Sequence, residues 1–204
     1  MHSVGGRGGA TERAPPALSH AARVPTVEVC AFVRRGEPGD YGWQLTEPRY
    51  NETLHVYNEN LAQQRDKSDN RAGGGNACAR PHRPTGLAIG MPTGERGGYS
   101  SLSELIRDNP SKPGETARGT IDEAADEIVE HILGNGGRFK QIVYSVNESE
   151  ADERKDLLGA GIFLHSMGRD VRVYATDKLL AIPGRVAQQH HANRRAQRAG
   201  GGGR

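Results

Sequence analysis

The chain has 204 residues, with 27 Lys and Arg against 25 Asp and Glu, and it is only 34% apolar. That length suits one domain, and a mean hydropathy of -0.71 suits a folded middle between polar ends. Two cysteines, Cys30 and Cys78, exclude a disulfide framework and a structural zinc set.

The first 25 residues are rich in Gly, Arg, Ala and Pro without periodicity, which predicts a disordered arm. The β-branched run 26–33 predicts a first strand, and Gly36, Pro38 and Gly39 a turn after it. Residues 41–45 read as a short return strand, and Leu54 to Tyr57 as a strand stopped by Asn58, Glu59 and Asn60. Residues 63–72 are polar throughout and predict an exposed loop, and Pro81 and Pro84 prevent a long helix after it. Leu87 to Met91 is the next expected strand. Ser101-Leu-Ser-Glu104 has capping-box spacing and predicts a short helix to about Asn109. Thr120-Ile-Asp-Glu123 repeats that spacing before a helical stripe of Ile121, Ala124, Ala125, Ile128, Ile132 and Leu133. Gln141 to Val146 and Val171 to Ala175 complete the predicted strands, and Pro183-Gly184 ends the domain. Residues 185–204, with five arginines and no acid, are expected to form a disordered basic tail.

Strands alternating with helices, in continuous apolar runs, predict an α/β domain over 26–184. The expected form is a three-layer α/β/α sandwich with a mixed, partly parallel sheet. Such sheets bind ligands at the carboxyl ends of their strands. Three glycine-rich turns follow predicted strands: Gly73-Gly74-Gly75-Asn76, then Gly94 with Gly97-Gly98, then Gly159-Ala160-Gly161-Ile162-Phe163. Bare backbone N–H groups in such turns bind phosphate without a basic side chain. Asn58 and Asn60 offer amides that suit a ribose diol. The bland alternatives are flexible turns, caps and local turn-formers.

Two stretches resemble macro domains. Val56-Tyr57-Asn58-Glu59-Asn60-Leu61, followed by Gly73-Gly74-Gly75-Asn76-Ala77, resembles that family's Asn-bearing strand and triple-glycine loop. Gly159-Ala160-Gly161-Ile162-Phe163, after the strand 142–145, looks like its second diphosphate loop. The resemblance implies an α/β/α module that binds ADP-ribose, with or without hydrolysis of an ADP-ribose or nucleotide phosphate linkage. Asn60 would contact ribose, and Gly73–Gly75, Gly159, Gly161, Ile162 and Phe163 the diphosphate. The chain departs from the pattern in the long Asn60–Gly73 spacing, in Pro81 and Pro84, and in lacking an early adenine-contacting Asp. A divergent nucleotide-binding α/β family, viral or otherwise, fits the same residues.

On this reading Asn60 and Glu59 are the catalytic candidates and His82 a further candidate base. Asn58, Gly94, Gly97 and Gly98 join the two loops as ligand contacts. Cys78 with His82 as a nucleophile–base pair, and Asp66, Asp69 and Asn70 as a cation loop, are weaker constellations. No metal or cofactor is expected. The partner is ADP-ribose or a related nucleotide, with weak non-specific nucleic-acid contact through the tail and no membrane. The Gly/Arg/Pro-rich start has no signal-peptide h-region, so an intracellular location, cytoplasmic or nuclear, is expected. The competing reading is a non-catalytic interaction module that uses the acidic helix 121–133 and the basic tail.

Overall fold

The computed structural model describes residues 24–31, 37–73, 75–94, 98–107, 112–146 and 167–200. Strands β1 (Thr26–Ala31), β2 (Thr53–Asn60), β3 (Ala88–Gly94) and β4 (Gln141–Val146) form one sheet in the order β1-β4-β2-β3. The expected sheet was mixed, but all three pairings are parallel. The class is α/β, as the alternation of elements predicts.

Strand alternation sorts the core into two sets. On one face Leu54, Val56, Ile89, Met91, Ile142 and Tyr144 meet helices α3 (Ala117–Gly134) and α4 (Arg169–Gly200). The predicted stripe is largely the buried one, since Ile121, Ala124, Ala125, Ile128 and Ile132 are at most 2% exposed. On the other face Tyr57, Ala88 and Val143 meet Tyr41 and Leu45, from and just after helix α1 (Tyr41–Gln44). Cys78 and Ala79 of a 3-10 segment (Gly75–Thr85) complete that cluster. Short helix α2 (Leu61–Arg65) links β2 to that segment.

Several local expectations change. Residues 41–44 form a helix rather than a return strand, because Asp40 caps it by accepting from the Gly42 amide at 3.1 Å. The Ser101 box forms no helix. Ser100 binds Glu104 through both its amide and its hydroxyl, and Ile106 donates to Glu115 O, which pairs this stretch with the entry to α3. The N-cap of α3 lies four residues before the predicted one, at Thr116, which accepts from the Gly119 amide.

The largest change concerns residues 171–175, which are helical and open α4 instead of forming a strand. Val171, Ala175, Leu179, Ile182 and Val186 recur at spacings of three and four and are all buried. The helix passes through Pro183 and continues to Gly200, so residues 185–200 are helical where a disordered tail was expected. Proline lacks an amide hydrogen, which deprives the Leu179 carbonyl, four residues earlier, of its helical donor. The Tyr144 hydroxyl, from β4 beneath, donates to that carbonyl at 3.3 Å. Burial raises the Tyr144 pKa, so the hydroxyl keeps its proton. Tyr144→Phe should cost about 1–3 kcal/mol in urea unfolding, by leaving a buried carbonyl unpaired. In a Pro183→Ala background the new amide supplies that bond, and the cost should shrink. Equal costs in both backgrounds would show that the hydroxyl does not replace the missing donor.

Candidate functional site

The strands end together at one edge of the sheet, but their pairing does not end together. The last β2–β4 pair is Val56 with Tyr144. Beyond it β4 stays on β1 as far as Ala31–Val146, while β2 stays on β3 as far as Asn60–Gly94. The sheet therefore divides between β4 and β2 at its carboxyl end. The chain leaving β2 first seats Leu61 of α2 in the core shared with α3 and α4 and only then reaches the 3-10 segment on the other face, while α4, the next described element after β4, packs on the side of α3. The carboxyl ends of parallel strands, where neighbouring strands part, are where open α/β sheets form a ligand crevice.

Asn58 lies in the stretch of β2 that β4 no longer pairs. It is 4% exposed, and its Oδ1 is buried without a hydrogen-bond partner. It follows Val56 by two residues and so shares the face of α3 and α4. An unpaired buried acceptor is costly and calls for a water, an ion or a ligand group.

Its neighbours are committed differently. Glu59 points to the other face with a fully buried side chain. Its Oε1 and Oε2 accept from Arg80 at 2.5 and 2.9 Å, and Arg83 lies 3.5 Å from Oε2. The hydrogen bond that Arg80 donates to Glu59, together with the Glu59 charge, holds the Arg80 pKa above the ordinary arginine value. Burial first, and the Glu59 charge second, push the Tyr57 phenol well up. Glu59 is thus the anchor of an ion-pair cluster, not an accessible base. Arg80 also donates to Gln63 Oε1 and Arg71 O, and Arg83 to Gln63 O and Asp66 O, which ties the polar loop after α2 to the sheet. Gly90 on β3 makes room, since a Cβ there would come within 2.8 Å of Glu59 Cβ. Asn60 is the N-cap of α2, its Oδ1 accepting from the Ala62 amide at 3.0 Å.

Among the glycines, Gly73 and Gly75 flank the start of the 3-10 segment, which also contains Asn76. Gly94 ends β3 against Gly98, whose Cα would lie 2.3 Å from a Cβ at Gly94. Gly98 has φ +92°, and Tyr99 N donates to Thr93 O, which holds the ends of β3 and of the stretch from Gly98 close together. Gly74, Gly97, Gly159, Gly161, Ile162 and Phe163 lie outside the described residues.

The weaker constellations dissolve. Cys78 and His82 sit on a 3-10 segment, where residues three apart align, so a spacing of four separates them. Burial, then Asp40 and Glu28, push the Cys30 thiol up to about 11, away from thiolate chemistry. Asp66 accepts from Ser68, and Asp69 pairs with Arg71. Among the described residues no cluster fit for a metal occurs, and no helix is long and apolar enough to cross a membrane.

Sequence reasoning did not find the groove between α2, β3 and α3. Cavities of about 270 and 290 Å³ there share Gln64, Lys67 and Glu127. Those groups bind one another, since Glu127 accepts from Gln64 at 2.7 Å and Lys67 at 2.6 Å. Three further acids of α3 are also partnered within the chain: Asp122 with Lys178 and Tyr174, Glu123 with Lys112, and Asp126 with Arg185. Compared with protein-family models, curated proteins and solved structures, the chain matches none.

Proposed function

We propose that the chain binds a phosphorylated, nucleotide-type ligand in the opening between β2 and β4. One observation carries the reading: the unpartnered Oδ1 of Asn58 in the part of β2 that β4 abandons. A ribose hydroxyl or an exocyclic amine is the kind of donor that this oxygen lacks. The resemblance to macro domains makes ADP-ribose the first ligand to test, with the glycine turns as diphosphate contacts. With Glu59 ion-paired and Asn60 capping α2, the reading is of binding rather than hydrolysis.

The test is calorimetry on the full chain with ADP-ribose, ADP and inorganic pyrophosphate, repeated on Asn58→Leu. Leucine has nearly the same shape and no acceptor, so it should leave the melting temperature unchanged or higher. It should weaken binding roughly tenfold or more, as expected when a polar group of the ligand loses its partner. Absence of binding by the unaltered chain to all three ligands, or equal binding by Asn58→Leu, would remove this reading.

A further inference from the structure

We propose that the last turns of α4 are a docking element for duplex DNA, gripping its phosphate backbone. Core contact ends at Val186, and residues 191–199 are exposed on every side. The free part of the helix is about 20 Å long at 1.5 Å per residue. No acid occurs after Asp177 in the whole chain. Lys178 and Arg185, nearer the core, are neutralised by Asp122 and Asp126 of α3. Among the described residues no acid pairs with Arg194, Arg195 or Arg198.

Their placement is one-sided. At about 100° per residue, His190, Arg194, Arg198, His191 and Arg195 fall within an arc of roughly 140°. Ala192, Ala196 and Ala199 occupy the opposite side. No branched aliphatic residue, methionine or aromatic residue lies between residues 187 and 200. Helices that dock in protein grooves or lie on membranes use apolar anchors three and four residues apart, and this one has none. What remains is a row of guanidinium groups matched to a row of phosphates. A helix about 10–12 Å across also fits the roughly 12 Å wide major groove of B-DNA, whereas that of duplex RNA is too narrow.

The element lies on α4 and shares no residue with the β2–β4 opening, so the two proposals stand or fall separately. The test is fluorescence anisotropy of a labelled DNA duplex with the full chain, between about 50 and 200 mM salt. Affinity should fall linearly on logarithmic axes. Arg194→Ala/Arg195→Ala/Arg198→Ala should flatten that slope by roughly 2–3, near 0.9 for each phosphate no longer neutralised. Because the three side chains touch no core residue, the melting temperature should not change. Absence of duplex binding at about 50 mM salt, or a slope unaltered by the triple substitution, would overturn the proposal. Equal binding of duplex RNA, or equally effective competition by polyglutamate, would overturn it as well.

Discussion

Replacing Glu59 with alanine should destabilise the fold by about 3–5 kcal/mol, read as a lower urea midpoint at an unchanged slope. The alanine leaves Arg80, whose side chain is 4% exposed, as a buried cation without its carboxylate. Glu59→Gln keeps the shape but not the charge and should fall in the same direction. A double substitution, Glu59→Leu with Arg80→Met, removes both charges and should recover most of the loss. The polar loop after α2 should loosen in both single variants, because Arg80 and Arg83 bind its carbonyls. A cost under about 1 kcal/mol for Glu59→Ala would mean that the pair behaves like a surface one.

Acidification should weaken the fold through His55. This residue is 1% exposed, between the rings of Tyr41 and Tyr50, with neither ring nitrogen in a well-formed hydrogen bond although the Leu87 and Thr53 backbone lies near. Burial holds its pKa down at about 4, against 6.5 for an ordinary histidine. The sign follows from proton binding. Between pH 6.5 and 4 the unfolded chain is protonated at His55 and the folded one is not. The contribution is therefore complete above 6.5 and is lost as pH falls towards 4, by roughly 3 kcal/mol in all. His55→Phe keeps a ring among rings and removes both unsatisfied nitrogens. The difference in unfolding free energy between the two proteins should be flat above pH 7 and move in favour of the variant below 6.5. A constant difference from pH 7 to 4 would show that His55 titrates alike in both states.

Those two groups also show where reading the residues succeeds and where it stops. Strands β1, β2 and β4 and the apolar stripe of α3 were legible, because runs of β-branched residues and a period of 3.6 are local signals. Glu59 read as a candidate base because its partner, Arg80, lies 21 residues on in a segment whose path no local pattern reveals. Val171 to Ala175 read as a strand because a five-residue window alternates. The helical period shows only when Leu179, Ile182 and Val186 are counted with it, and Pro183 discouraged that count. Its tolerance depends on Tyr144, a residue of another element. Asn58 was legible as polar, but it read as stopping a strand that in fact runs through it to Asn60. That its oxygen is buried without a partner depends on the early parting of β4 from β2, which is a property of the assembled sheet.

The position of β1 has a consequence for how this chain is made. In the sheet β1 touches β4 alone, with Thr26 opposite Gln141. It comes first among the described strands, and it has no ladder partner until every described element but α4 has been made. Through most of synthesis the edges of Val27 and Val29 stand open to neighbouring nascent chains. Glu28 between them places a like charge against any second copy that tries to pair in register.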